Sequence, residues 1–236
     1  MRNLPPTGRR RAPRGRLVRG VLWATATLTT LAGVSACSDE GDKQPQAAQT
    51  PASRICDGTL DRPAVTALQR LGGADSFEEL SGKGNQFSLD RAAAHVHDDV
   101  QQRSRCTVYL PDDTSGAPLV QLDFKAADTH PTRAAVLKAS PGKDFTFYAL
   151  GAYAATSDKN STTLYFQCTT KGSDGKRTRY VDAGIFSSAG QLKGNSPSKD
   201  RMVILNSVSR HLADKLGCAD EAHLPSTVPD GESVTS

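Results

Sequence analysis

The stretch TLYFQCTTKGSDGKRTRYVDAGIFS, residues 163–187, decides the fold. Two runs rich in β-branched and aromatic residues, Thr163–Thr169 and Arg177–Ser187, flank the tetrapeptide Gly172–Gly175. An aspartate followed by a glycine between two such runs is a strong short-range signal for a β-hairpin. The stretch therefore predicts two antiparallel strands joined by a tight turn.

Three further runs upstream of this hairpin have strand character. Residues 106–110 and 119–124 are rich in β-branched and aromatic residues, and a turn-rich loop, 111–118, joins them. Residues 145–153 form a third β-prone run, although Gly151 and several alanines weaken its end. The sequence therefore predicts about five strands, and their short connections favour antiparallel pairing.

Apolar residues recur with helical spacing in three other segments. The first opens at Asp61 with a proline in its first turn and stops at Gly72-Gly73, and the second spans Ser88 to about Gln102. The third is capped by Ser196 and ends at Gly217. We expect an α+β fold: an antiparallel sheet of about five strands, with two N-terminal helices and one C-terminal helix packed mainly on one face.

Five cysteines divide into one near the start and four in the predicted domain, Cys56, Cys106, Cys168 and Cys218. An exported domain lies in an oxidising compartment, where four cysteines predict two disulfides. We favour the pairs 56–106 and 168–218, which would tie each outer helix to a neighbouring sheet edge. The pairs 56–218 and 106–168 are the alternative. The chain has no Cys-x-x-Cys motif, and we expect neither a metal nor another cofactor.

Residues 1–36 have the composition of a secretion signal. Seven arginines and no acidic residue occupy residues 1–20, and sixteen mostly apolar or small residues follow, 21–36. A bilayer-spanning helix needs about 20 apolar residues, and this segment also contains four threonines. We therefore interpret it as a cleaved signal peptide rather than a membrane span.

Leu31-Ala32-Gly33-Val34-Ser35-Ala36-Cys37 resembles the lipobox of a bacterial lipoprotein. Small residues fit a narrow peptidase site, and the thiol of Cys37 can accept a diacylglyceryl group. Ordinary cleavage after Ala36 is the alternative, but it would leave an odd, exposed thiol on a secreted protein. We predict that Cys37 is lipidated and anchors the protein to the outer leaflet of the cytoplasmic membrane, on its extracytoplasmic face.

The predicted leader carries seven of the 29 basic residues and none of the 25 acidic ones, so the mature chain has a net charge of −3. The basic pI of the full chain comes from the leader, so it gives no reason to expect that the mature protein binds nucleic acid. We divide the chain into a lipoprotein signal peptide (1–36), a lipidated cysteine with a flexible tether (37–54), a disulfide-bonded α+β domain (55–222) and a disordered tail (223–236).

His95, His97, Asp98 and Asp99 form the densest group of possible metal ligands. On a helix, His95 and His97 would lie about 200° apart and could not share an ion, whereas His95 could pair with Asp98 or Asp99. On a strand, His95, His97 and Asp99 would share one face. We interpret the group as a solvated helix face.

Other motifs have simpler interpretations than catalysis. Ser-x-x-Lys occurs at Ser140, Ser173 and Ser196 and faintly resembles the motif of serine penicillin-recognising enzymes, but we attribute it to chance. Asp112-Asp113 suits a turn. Four basic residues, which we interpret as a soluble hairpin end, lie at the tip of the predicted hairpin: Lys171, Lys176, Arg177 and Arg179.

The leader, the lipobox, the polar tether and two cysteine motifs together resemble a class of small actinobacterial, Streptomyces-type cell-envelope lipoproteins of unknown function. The motifs are RICDGTL (54–60), leading into a helix, and RCTVY (105–109), opening a strand. The resemblance covers about residues 1–125. It implies a surface location and a disulfide-bonded α+β fold, and it assigns no catalytic residue.

We therefore expect a membrane-anchored lipoprotein whose domain binds an envelope protein or a small-molecule ligand without catalysis. The first alternative is a small envelope hydrolase with an unfamiliar site near His95, Asp99 or His211. A ligand-binding accessory of a transporter or sensor kinase is a further alternative.

Overall fold

The computed structural model describes residues 49–80, 86–157, 160–195 and 197–236. Within these ranges lie nine strands: β1 (Thr50–Pro51), β2 (Ser76–Glu79), β3 (Cys106–Tyr109), β4 (Val120–Ala127), β5 (Asp144–Phe147), β6 (Tyr153–Ser157), β7 (Ser161–Lys171), β8 (Arg177–Phe186) and β9 (Glu232–Thr235). They form one antiparallel sheet in the order β1-β2-β3-β4-β8-β7-β6-β5-β9.

Six helical segments accompany the sheet in the described ranges: α1 (Ile55–Gly58), α2 (Arg62–Gly72), α3 (Leu89–Ala94), α4 (Arg133–Ala139), α5 (Pro197–Leu216) and α6 (Ala219–Ala222). Two 3₁₀ turns, Ala52–Arg54 and Ala189–Gln191, complete the helical structure described. The predicted leader, Cys37 and Ser196 lie outside the described residues.

The predicted hairpin is the centre of the sheet. Strands β7 and β8 pair from Ser161 opposite Phe186 to Lys171 opposite Arg177, with an irregularity between Gln167 and Thr170. Gly175 lies in the turn with a φ of 81°, a conformation that glycine adopts without strain. The aspartate–glycine pair therefore marks a real hairpin, as its sequence predicted.

The predicted sheet of about five strands is wrong, because the sheet has nine. The run 145–153 divides into β5 and β6 at Gly151, which has a φ of 57° and packs against the backbone of Tyr165. Strands β1, β2 and β9 are only two to four residues long. Such short strands show too few alternations to stand out in a sequence.

The helix count and placement also differ from the prediction. Helix α3 ends at Ala94 instead of continuing to Gln102, because the carbonyl of Val96 accepts a 2.7 Å hydrogen bond from the amide of Ala126, in β4. Helix α4 was not predicted, and it covers part of the sheet face opposite α5. The sequence predicted helices mainly on one face of the sheet, but α4 also covers part of the other face.

The two sheet faces bury different sets of residues. On the inner face, Leu164 and Phe166 of β7 share one core with Met202, Leu205 and Leu212 of α5. On the outer face, a smaller apolar cluster packs under Val136 and Leu137 of α4, and its buried members are Phe145, Phe147 and Ala155. The main core therefore lies between the sheet and α5, and α2 packs beside α5.

Two disulfides, Cys56–Cys106 and Cys168–Cys218, have the favoured pairing. The first joins α1 to β3, and the second joins β7 to Cys218, which lies two residues after the end of α5. The side chains of all four cysteines are buried. Each bridge thus fixes the end of a helical segment against the sheet.

Both segments expected to lack structure contribute strands. Thr50 of the predicted tether pairs with Phe77 in β2, and the neighbouring Ala52 is buried. In the predicted tail, β9 pairs with β5 and Val228 is buried. The polar composition of both segments was a poor guide, because backbone pairing at a sheet edge needs few apolar side chains.

Replacing Cys168 and Cys218 together by serine should destabilise the domain. The bridge closes a 50-residue separation, which in the chain-entropy model corresponds to about 4 kcal/mol of unfolding free energy. The change can be measured by urea denaturation of the mature chain with the Cys56–Cys106 disulfide intact. We expect the variant to unfold at a lower urea concentration than the wild type. An unchanged midpoint would show that the bridge does not constrain the unfolded chain.

Replacing Glu79 by glutamine should stabilise the protein increasingly as pH rises. The Glu79 carboxylate accepts a 3.0 Å hydrogen bond from the amide of Cys56, but burial raises the pKa of Glu79 above its ordinary value of 4.5. The folded chain therefore binds this proton more strongly than the unfolded chain, and the wild type loses stability as pH rises from about 4.5 towards the folded pKa.

Glutamine keeps the acceptor oxygen but removes the buried charge. The unfolding free energy of the variant, minus that of the wild type, should grow between pH 4 and pH 7 in urea titrations. A difference that stays constant with pH would contradict this account of Glu79.

Candidate functional site

The predicted histidine–aspartate group does not assemble into one site. The imidazole Nδ1 of His95 lies 2.6 Å from a carboxylate oxygen of Asp98, and both residues lie in the turn that follows α3 instead of on the predicted helix face. His97 faces away to the hairpin, and Asp99 is exposed. No group of three or more histidine, cysteine or acidic residues able to hold a metal ion occurs among the described residues.

A chain of hydrogen bonds from His97 to the hairpin was not predicted from the sequence. The Nε2 atom of His97 lies 2.9 Å from the hydroxyl of Thr170, which lies 2.9 Å from that of Thr178. The two threonines are directly opposite each other on β7 and β8. The hairpin register could have predicted the threonine pair, but only the tertiary fold brings His97 to it.

The Ser-x-x-Lys motifs show no hydrogen bond between a serine hydroxyl and its lysine within the described residues. At the hairpin tip, the Lys176 ammonium pairs with Asp128 at 2.7 Å. Lys199, of the third motif, pairs with Asp230. Both amines thus have acidic partners far away in sequence.

The remaining candidates have structural contacts. The Nδ1 atom of His211 lies 2.9 Å from the carbonyl of Ser207, one turn earlier in α5. Asp113 accepts hydrogen bonds from the amide and hydroxyl of Ser115, and these bonds lower the pKa of Asp113. Asp112 has a φ of 59°, so the pair forms a turn as predicted. The four basic residues of the hairpin tip are exposed.

A cleft of about 930 Å³ lies where β5, β6 and β9 meet the first turn of α5. We call it the hydroxyl cleft, because seven of its lining residues carry hydroxyl groups. They are Thr146, Thr156, Ser157, Ser161, Ser198, Ser233 and Thr235. Its volume is within the range of small-molecule binding sites, about 300–1,000 Å³.

Some of these hydroxyls hold the cleft together. Thr235 donates a 2.7 Å hydrogen bond to the carboxylate of Asp144, and the hydroxyl oxygens of Thr146 and Ser233 lie 3.3 Å apart. Thr156 donates to the carbonyl of Ser198 in α5 at 3.5 Å. These contacts position β9 against β5, and α5 against β6.

Other hydroxyls are available to a ligand. The side chains of Ser157, Ser161 and Ser198 make no hydrogen bond to any other described residue, and neither does the amide group of Asn160. The backbone carbonyl of Asn160 accepts a 2.7 Å hydrogen bond from Ser187, which fixes its position. The cleft therefore combines a fixed frame with uncommitted polar groups.

Among the described residues that line the cleft, the charges are balanced. Lys143 and Asp144, neighbours in sequence and both exposed, contribute one positive and one negative group. The apolar part of the lining comes from Phe145, Ala189 and Val234. Neither a strongly charged ligand nor a fully apolar one matches this lining.

An exposed aromatic ring lies on the outer sheet face, opposite the face on which α5 packs. Phe186 at the end of β8 is 48% exposed, and it is directly opposite Ser161 on β7. Its neighbours Ile185 and Ser187 are buried, so the ring of Phe186 lies on the outer face. A side-chain carbon added to Gly184, two residues earlier, would contact only the carbonyl oxygen of Thr162, at 3.9 Å, so the surface beside the ring is open.

A row of aromatic rings on the same face has a structural role. The hydroxyl of Tyr165 donates a 2.7 Å hydrogen bond to Asp182, and the Lys125 ammonium lies 3.1 Å from the same carboxylate oxygen. Burial, reinforced by Asp182, raises the pKa of the Tyr165 phenol. Tyr153 packs edge-on against Tyr165 and Phe147.

Arg133 links this aromatic row to the cleft wall. Its guanidinium lies 4.8 Å from the ring centroid of Phe147 and donates two hydrogen bonds, of 2.6 and 2.7 Å, to the carboxylate of Glu232 in β9. A bidentate pair of this kind has a defined geometry. Arg133 thus connects α4, β5 and the strand that forms one side of the cleft.

Comparisons with known proteins add no assignment: no protein-family model, curated protein or solved structure matches the chain. Among the helices described, none is long and apolar enough to cross a membrane.

Replacing Glu232 by glutamine should loosen β9. The variant loses the charge that holds Arg133, although most β9 backbone hydrogen bonds can persist. Because the pair is exposed, we expect the β9 amides that bond to β5 to exchange with deuterium up to about fivefold faster.

Replacing Asp128 by asparagine is the matched control, because it breaks the exposed Lys176–Asp128 pair at the hairpin tip. This variant should leave β9 exchange unchanged. Equal exchange in the Glu232 variant and the wild type would mean that Arg133 does not hold the cleft wall.

Proposed function

We propose that the protein is an extracytoplasmic lipoprotein, held in the outer leaflet of the cytoplasmic membrane by a lipid on Cys37, whose domain binds a ligand or partner without catalysis. The observation that carries this proposal is the pair of buried disulfides. Structural disulfides persist in oxidising compartments, which supports export of the domain.

The disulfides also bear on Cys37 itself. They use four of the five cysteines, so Cys37 belongs to neither bond. A free thiol close to the start of a mature exported chain would be open to oxidation. Lipidation consumes that thiol, and the lipobox-like residues 31–37 supply the processing site.

The binding role is supported by the hydroxyl cleft. It offers uncommitted serine hydroxyls and an amide in a frame fixed by β9 and α5, which suits recognition of a polar ligand. The histidines proposed for a hydrolase make other contacts, since His95 pairs with Asp98 and His211 bonds within α5.

One observation favours the hydrolase alternative. The 2.9 Å contact between His97 and Thr170 resembles a base beside a hydroxyl nucleophile. However, Thr170 is also within hydrogen-bond distance of Thr178, and Asp98 pairs with His95 rather than with His97. Among the contacts of the described residues, no third group therefore orients His97 as a base. We rank a binding role above hydrolysis for this reason.

Replacing Cys37 by serine should abolish lipid attachment. Cells fed a fatty acid that carries an alkyne group should incorporate the label into the wild-type protein, since a thioether to diacylglycerol needs the thiol. The variant should remain unlabelled. In detergent phase separation, the wild type should enter the detergent-rich phase and the variant the aqueous phase.

Replacing the neighbouring Ser38 by alanine is the control, and it should preserve labelling. Undiminished labelling of the Cys37 variant, or an unlabelled wild type, would overturn the anchoring proposal.

A further inference from the structure

We propose that the outer face of the sheet docks on the anionic bilayer that holds the lipid on Cys37. This inference rests on the proposed function, because it needs the anchor, and it names the surface that the domain turns towards the membrane. A surface that docks on an anionic bilayer presents exposed apolar side chains, which enter the headgroup region, beside basic ones, which pair with phosphates. The outer face has both.

Exposed apolar side chains gather at one end of this face. Among the described residues, three large apolar side chains are exposed: Leu80 (41%), Val100 (46%) and Phe186 (48%). Leu80 and Gln121 line one small depression, of about 100 Å³, and Gln121 is directly opposite Phe186. Val100 is one residue from Gln101, which lines the same depression. Apolar side chains that cluster on a surface in this way mark an interaction site.

The strand register places Leu80 and Phe186 on the same face. Thr107 is directly opposite Gln121, whose side-chain amide donates a 3.0 Å hydrogen bond to the Thr107 hydroxyl. The carbonyl of Thr107 accepts a 2.9 Å hydrogen bond from the amide of Leu80, so the pairing of β2 with β3 continues to that residue. The four residues thus form one row across four adjacent strands, and about 14 Å separates its two apolar ends.

Basic side chains surround the depression. Arg91, Arg103 and Arg105 line it, and no acidic residue is among the described residues that do so. Arg103 pairs with Asp123 at 2.7 Å, whereas Arg105 is exposed. An arginine guanidinium matches the geometry of a phosphate group with two parallel hydrogen bonds. We call the depression and the three exposed apolar side chains the arginine patch.

The charge of the arginine patch favours a bilayer over a second copy of the chain. The mature chain is negatively charged overall, so a positive patch would turn the domain in one orientation on an anionic surface. A symmetric pair of chains joined through this patch would place arginines against arginines. Helix α4, on the same face, adds the exposed Lys138 and has no acidic residue, so it does not repel the bilayer.

The anchor point lies next to the arginine patch. Thr50 pairs with Phe77 in β2, the strand that leads to Leu80, so the described chain begins at the edge of the sheet that carries the patch. Cys37 precedes Gln49, the first described residue, by twelve residues, which can span at most about 40 Å. The lipid therefore keeps the patch close to the bilayer, where weak attractions are sufficient for docking.

The test uses the complete lipoprotein, reconstituted in lipid vesicles, with Phe186→Trp as a fluorescent reporter. The mature chain contains no tryptophan, because Trp23 is the only one in the sequence and lies in the leader. In vesicles that contain phosphatidylglycerol, we expect the emission of the reporter to shift to shorter wavelength and brominated lipid chains to quench it. In vesicles of phosphatidylcholine alone, or at high salt, both effects should be small because the arginines lose their attraction.

Removing arginines from the patch should weaken docking. Arg91→Gln combined with Arg105→Gln in the reporter chain should lower the docking equilibrium constant about fivefold for each arginine, with the docked fraction measured by the quenching. Arg177→Gln combined with Arg179→Gln is the matched control, because it removes the same charge from exposed arginines at the hairpin tip. This control should dock like the reporter chain. Thermal unfolding of each variant verifies folding.

Equal emission and quenching in the two kinds of vesicle, or equal docking by the two pairs of arginine variants, would overturn the arginine patch. A blue shift that grows with protein density but is not quenched by brominated lipid would show a second copy on the patch, and would also overturn the inference. Lipid on Cys37 is measured by mass spectrometry in the same vesicles. A lipidated protein that does not dock refutes only this inference, whereas a protein without lipid refutes the proposed anchor.

Discussion

Helix α5 is buried on several sides, and the rest of the domain depends on that burial. Eleven of its 20 residues are buried, including polar ones that need partners. Asp200 pairs with Arg70 of α2, and Ser207 both donates to the carbonyl of Thr59 and accepts from the amide of Asp61. These contacts, together with the apolar packing on β7, fix α2 against α5. The helix pair in turn sets the inner face of the sheet.

The sequence predicted those elements whose signals are local. The aspartate–glycine turn identified the β7–β8 hairpin, and Asp61 and Gly73 marked the ends of α2. The positions of the four cysteines beside predicted helices and strands favoured the disulfide pairs that form. Elements that depend on distant partners were missed. Strand β9 is held by pairing with β5 and by Arg133, and α3 ends early because Val96 bonds to Ala126. No local pattern encodes such contacts.

The candidate site was even harder to predict from local sequence patterns than the fold. The hydroxyl cleft combines residues from β5 to the last strand, about 90 positions apart, and much of one side comes from a segment whose composition indicated disorder. Its serines and threonines have no distinctive spacing in the sequence. The chemistry of the site therefore emerges only from the fold.

The central claim is that this domain is displayed outside the membrane by a lipid on its first residue. The most direct measurement is the intact mass of the protein purified from membranes, with fragmentation of its N-terminal peptide. The account predicts a chain that begins at Cys37, carries a diacylglyceryl thioether and contains the two disulfides. A mature chain with an unmodified Cys37, or one that starts elsewhere, would contradict it.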